Sequence, residues 1–237
     1  TDVRTMALQG DTLWIGALNG LYTYQLQNRK LSPLDTKRNG LPHNTIYSII
    51  RTGDNQIYVG TYNGLCRYIA SNGKFEKIPL PVNSSQSNLF VNSLLEDTGR
   101  QCIWIGTEGY LFQYFPSTGQ MKQTEAFHNN SIKSLALDGN GYLLAGTDNG
   151  LYVYHNDVTP LQHIIHDSRN IQSLTNNIIW NIFADQEHNI WLGTDYGISL
   201  SRYNSALQFI PISQITGTGD GNQFYSLFRD SKGFYWF

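Results

Sequence analysis

Charge is what this sequence has least of. Only 14% of its 237 residues are Asp, Glu, Lys or Arg, against about a quarter in an ordinary soluble domain. Net charge is −2, and no stretch gathers Lys and Arg into a stripe. A nucleic-acid surface needs such clustering, so no nucleic-acid partner is expected. Cysteine is scarce as well. Cys66 and Cys102 are too few and too far apart for a disulfide framework or a zinc-ligand spacing, and both are expected to be buried thiols. No apolar run approaches the length of a membrane helix, so this segment is expected to make no membrane contact. Thr1-Asp2-Val3-Arg4 does not open a signal peptide, although an excerpt of a longer secreted protein would look the same. No segment keeps a 3.6-residue apolar period, so helix is expected to be minor.

Catalytic signatures are missing too. There is no His-Glu-x-x-His, no Gly-rich phosphate loop ending in Lys and no Gly-x-Ser-x-Gly elbow. His163 and His166 are three apart, which in a strand turns them to opposite faces and away from a shared metal. No catalytic residue, metal or cofactor is therefore assigned.

What the chain does have is aromatic residues (13%, with 15 tyrosines) and 22 glycines. Aromatics suit pleated strands and glycines suit turns, which points to an all-β fold. One phrase recurs: Leu13-Trp14-Ile15-Gly16, Ile57-Tyr58-Val59-Gly60, Ile103-Trp104-Ile105-Gly106, Leu143-Leu144-Ala145-Gly146 and Ile190-Trp191-Leu192-Gly193. Its glycines are 44, 46, 40 and 47 residues apart. A turn phrase follows each copy, as in Asn19-Gly20, Asn63-Gly64, Asn149-Gly150 and, varied, Glu108-Gly109 and Tyr196-Gly197. Asp97, Asp138, Asp185 and Asp230 precede the Trp-like position by six or seven residues, where Asp is expected to form a hairpin turn. Apolar residues on both sides of the Trp imply a strand with two dry faces.

Each period thus holds three strands and a weaker fourth, the period of a β-propeller blade. The fourth strand is expected at Lys74–Ile78 and again at Leu207-Gln208-Phe209-Ile210. Blades are expected at about 1–34, 44–80, 89–126, 130–166 and 177–213, with part of a sixth at 222–237. The chain stops at Tyr235-Trp236-Phe237, in the middle of a second strand. A ring of seven such blades needs roughly 310 residues, so the chain is expected to be a fragment of one propeller.

The phrase Asp185…Asn189-Ile190-Trp191-Leu192-Gly193-Thr194…Gly197-Ile198, preceded by Ser173-Leu174-Thr175-Asn176-Asn177, resembles the two-component regulator propeller repeat. Leu41-Pro42-His43-Asn44 resembles the family's entry to a first strand. Blade four departs from the pattern at Leu144 and Ala145, and blade three at its Glu108-Gly109 turn. The resemblance implies the extracytoplasmic, periplasmic sensor of a hybrid two-component receptor in glycan-degrading gut bacteria. In such a receptor two propellers precede a transmembrane helix, a histidine kinase, a receiver and a DNA-binding module. It further implies an oligosaccharide ligand and a homodimer.

In a four-stranded antiparallel blade, the turn between strands two and three shares an edge with the link to the next blade. The long links are 35–45, 79–91, 166–177 and 213–223. Function concentrates on loops held by a rigid scaffold, so the candidate ligand residues are those of this edge: Arg38, His43, Asn44, Tyr62, Asn92, Asp148, Asn177, Trp180, Asp195 and Tyr196. Their amides and carboxylates suit sugar hydroxyls, and their rings suit an apolar sugar face. Each also has a structural explanation, since Asn at a strand start bonds local backbone readily. Two alternatives to a sensor stay open. A propeller lyase acting on a polysaccharide or an antibiotic would need a His and a partner acid or base converging on one site. A protein-docking propeller would need a large exposed patch. Fold alone does not choose among the three.

Overall fold

A computed structural model of the chain describes residues 2–81, 89–123, 130–155, 159–203, 209–213, 217 and 223–236. It is all-β, with five four-stranded antiparallel sheets and one two-stranded sheet. Blade one is β1 (Val3–Gln9), β2 (Thr12–Ala17), β3 (Gly20–Gln25) and β4 (Lys30–Leu34). Blade two is β5 (Ile46–Arg51), β6 (Ile57–Thr61), β7 (Gly64–Ile69) and β8 (Lys74–Ile78). Blade three is β9 (Val91–Asp97), β10 (Cys102–Thr107), β11 (Leu111–Phe115) and β12 (Gln120–Gln123). Blade four is β13 (Ile132–Leu137), β14 (Leu143–Thr147), β15 (Gly150–Tyr154) and β16 (Gln162–Ile164). Blade five is β17 (Ile179–Ala184), β18 (Ile190–Thr194), β19 (Gly197–Ser201) and β20 (Phe209–Pro211). A hairpin, β21 (Phe228–Arg229) with β22 (Tyr235–Trp236), follows. Leu207 and Gln208, residues 82–88 and most of the 213–223 link lie outside the described residues.

The repeated phrase is the second strand of each blade. β6, β10 and β14 are buried at every position, as two dry faces require. The glycine at its end lies where the next blade presses. A Cβ on Gly60 would stand 2.6 Å from Val91 O, and one on Gly193 would stand 2.8 Å from Phe224 O. The Thr after the glycine closes the turn. Thr61 Oγ1 donates to Gly64 O and accepts the Asn63 N–H. Thr147 and Thr194 repeat the pattern, and Gly64, at φ 98°, supplies the left-handed conformation of the turn.

The contacts divide the chain into two compact units, residues 1–123 and 124–237. In the first, β1, β5 and β9 pack side by side, and in the second β13 packs on β17. Hydroxyls stitch these inner strands together. Thr5 Oγ1 accepts the Ile49 N–H, Ser48 Oγ donates to Val91 O, and Ser134 Oγ accepts the Ile182 N–H.

The recurrent aspartates do more than turn the chain. Asp97, Asp185 and Asp230 accept the indole N–H of Trp104, Trp191 and Trp236 at 2.9–3.1 Å. In blade one Gln9 takes the Asp's place, accepting from Trp14 at 3.1 Å. In blade four, where Leu144 replaces Trp, Asp138 Oδ1 accepts only local backbone N–H groups. Asp185 also takes the Tyr235 hydroxyl of the terminal hairpin at 2.9 Å.

Candidate functional site

Antiparallel pairing sets the start of each inner strand against the end of the second strand: Ile46 faces Thr61, Ile132 faces Thr147 and Ile179 faces Thr194. Within each unit, the points where links enter the inner strands and the second-to-third-strand turns therefore share one edge of the blades.

In the first unit this edge carries an aromatic cluster. The Tyr62 ring lies 4.8 Å from the His43 ring and 4.4 Å from Phe90, and Tyr47 lies 5.8 Å from Phe90. His43 Nδ1 accepts the Thr45 N–H, so the ring is fixed by its own turn. Asn44, next in sequence to His43, is exposed. Asn92 reaches Glu108 Oε1 at 3.5 Å. Arg38 is not part of this group. It sits on a short helix, α1 (Thr36–Asn39), capped by Asp35 and ion-paired to it at 3.1 Å. Asn39 ties that helix to Gly73 O, in the turn at the opposite end of blade two.

In the second unit the Trp180 indole donates to Asp195 Oδ1 at 3.1 Å, and Gln223 donates to the same oxygen at 2.8 Å. Lys133 Nζ stands 4.5 Å from the Trp180 ring and Tyr225 lies 5.1 Å from it. Tyr225 is 58% exposed. Asp148 accepts the Ser131 N–H and Asn177 accepts the His166 N–H, so both hold the link in shape. Tyr196 is half exposed. It borders a shallow cavity of about 350 Å³ shared with Arg169, Ile171 and Pro211. His163 and His166 go separate ways, His163 to Asn149 O and His166, beyond the end of β16, to Leu174 O.

Sequence reasoning missed Arg4, Tyr47, Phe90, Lys133, Gln223 and Tyr225. Arg4, Tyr47, Lys133 and Tyr225 occupy the same place in the repeat as Asn92 and Trp180, so aligning the copies on the inner strand was the available signal. Among the described residues no three His, Cys, Asp or Glu side chains gather as a metal would require. No helix among them is long and apolar enough to cross a membrane.

Residues 40–63 and 173–196 match the two-component regulator propeller family. Over its whole length the chain is 92% identical, with a TM-score of 0.84, to the extracellular domain of a B. thetaiotaomicron protein described both as a one-component and as a hybrid two-component system. It covers 32% of that domain. The extracellular domain of a second such system from the same organism has a TM-score of 0.72 at 20% identity, over 99% of this chain and 31% of its own. The histidine kinase P4 of Formosa agariphila is 29% identical over 187 residues, 73% of this chain and 13% of the kinase. The chain thus spans about a third of the solved domains and a smaller part of the kinase. Its blades carry two matches to the two-component regulator propeller family, and over its length it is nearly identical to part of the extracellular domain of such a signalling system.

Proposed function

We propose that the chain is part of the ligand-sensing propeller of a hybrid two-component receptor, periplasmic in location, and that it takes an oligosaccharide on the link-bearing edge. One observation carries this: Trp180 and Tyr225, partly open to solvent, stand beside the Asp195 carboxylate and the Gln223 amide. Flat rings offer a surface for the C–H face of a sugar, and a carboxylate and an amide suit its hydroxyls. The longer protein would bring further blades, a second propeller and a dimeric partner. Ligand would act by favouring one arrangement of that dimer, with a coupling no larger than its differential affinity. The output would be transcription of glycan-degrading genes.

Calorimetric titration of the intact extracellular domain with a panel of oligosaccharides, with product analysis of the same mixtures, tests this. Binding of a glycan recovered unchanged is the expected result. Turnover would promote a lyase instead, and silence on both counts would turn the search to protein partners.

A further inference from the structure

A β-bulge recurs at one position in all five four-stranded blades. The inner strand skips a residue between Val3 and Thr5, Ile46 and Ser48, Val91 and Ser93, Ile132 and Ser134, and Ile179 and Asn181. The residue left out of the pairing is Arg4, Tyr47, Asn92, Lys133 or Trp180. The positions around it hardly vary. Before it stands a β-branched aliphatic residue, 0% exposed in blades two to five. After it stands Thr, Ser, Ser, Ser or Asn, three of which make the inter-blade stitches. Between these fixed points the bulged residue is a guanidinium, a phenol, an amide, an ammonium or an indole, and none of the five is buried.

A bulge gives up ladder hydrogen bonds and re-aims a side chain. If it served strand twist alone, any residue would do and the side chains would have no common destination. Here four of them, Arg4 aside, meet a partner on the link-bearing edge of their own unit. Lys133 lies over Trp180 of the next blade and Trp180 beside Tyr225. Asn92 and Trp180 reach the turn residues Glu108 and Asp195, and Tyr47 faces Phe90 in the following link. Neither Arg4 nor Lys133 has a carboxylate partner among the described residues, whereas Asp148 and Asp195 already accept protein N–H groups.

We infer that the bulge positions determine ligand specificity on the edge of each unit by itself: in the first, Tyr47 supplies a stacking surface while Arg4 and Asn92 read the substituents on a sugar, and in the second Trp180 and Lys133 divide the same tasks. This rests on the oligosaccharide function proposed above. The scaffold stays constant and one side chain per blade is released to vary.

The test uses the intact extracellular domain with neutral galacto- and xylo-oligosaccharides and with uronate-bearing galacturono-oligosaccharides. Affinities and thermal midpoints are compared for the parent, Trp180→Ala, Tyr47→Ala, Lys133→Glu, Arg4→Glu and the stitch variant Ser134→Ala. The aromatic variants should weaken the best-bound sugar by about tenfold or more. The charge reversals should shift preference from uronate-bearing to neutral members by about tenfold. The four bulge variants should keep the parent's thermal midpoint, and Ser134→Ala should lower the midpoint and leave the rank order alone. Binding by the parent with rank order and affinities unchanged in all four bulge variants would overturn the inference and leave the sensor proposal intact. A parent that binds no member of the panel would overturn both. If Trp180→Ala alone unfolds the domain, Tyr47→Ala and Lys133→Glu decide.

Discussion

At the scale of single residues, the Asp–Trp pair shows what a repeat can hide. Asp97 is buried, and its carboxylate meets Trp104 Nε1 at 3.0 Å and Arg100 Nη1 at 2.6 Å. Burial pushes its pKa up, but the bonds from Trp104 and Arg100 outweigh burial and hold it below the usual carboxylate value. Asp185 behaves alike, with Trp191, Asn189 and Tyr235 outweighing burial. Both folded pKa values are lowered. The stability these groups contribute is therefore complete above the ordinary carboxylate pKa of about 4, and it is lost as pH falls through the depressed values. Urea midpoints should drop in that acid range, and less steeply in Asp97→Asn than in the parent. Asp97→Ala should cost about 3 kcal/mol, since it leaves a buried indole N–H without its acceptor and takes the carboxylate from the partly buried Arg100. Asp138→Ala, which loses only turn bonds, should cost about 1 kcal/mol; chemical denaturation of both variants checks the contrast. The aspartates were legible as turn formers because Asp followed by Gly is a local signal. The Trp bond spans six or seven residues and depends on two strands lying in register, so no local pattern announced it.

At the scale of the element, the recurring glycine carries the packing between blades. Gly60→Ala should destabilise the fold by about 1–3 kcal/mol, because the new methyl would meet Val91 O at 2.6 Å and the Ser48 hydroxyl. Gly119, at φ 71° in the turn between β11 and β12, has nothing within 4 Å. Alanine there should cost about 1 kcal/mol, for backbone conformation alone. Denaturant midpoints of the two variants separate the effects. The strands and their order could be read from the sequence, because a short run apolar on both faces and closed by glycine recurs once per blade. The bulges could not. Ile46, Ser48 and Ile49 are all buried, and a strand holding two buried neighbours simply looks apolar. Without the bulge, nothing local separates Tyr47, Lys133 or Arg4 from other strand residues. Asn92 and Trp180 are candidates because they lie on the link-bearing edge, not because they share a bulge. Arg38 lies in a link, but Asn39 of the same short helix is bonded to Gly73 O at the opposite end of blade two.

At the scale of the whole molecule, one face of blade one is apolar and uncovered in this chain. Met6 and Leu8 on β1 and Leu31 on β4 are each more than half exposed. Register connects them, since Met6 pairs with Ile15, Leu8 with Leu13, Leu13 with Tyr24 and Tyr24 with Leu31. Contiguous apolar surface of this kind promotes association. The 237-residue chain alone should therefore self-associate in light scattering, and Met6→Lys with Leu8→Lys should reduce that. A parent that stays monomeric would show that the face tolerates water. The stitches between inner strands work in one direction along the chain: Ser48 of one blade bonds Val91 of the next, and Ser134 bonds Ile182. Blades one, two and four thus carry in their own sequence a hydroxyl, Thr5, Ser48 or Ser134, for the backbone of the blade that follows. Blade two, which both gives such a bond and receives one, would arrive with both halves of its seam already written if copied in tandem by gene duplication, and the side chain at its bulge would be left for selection to change.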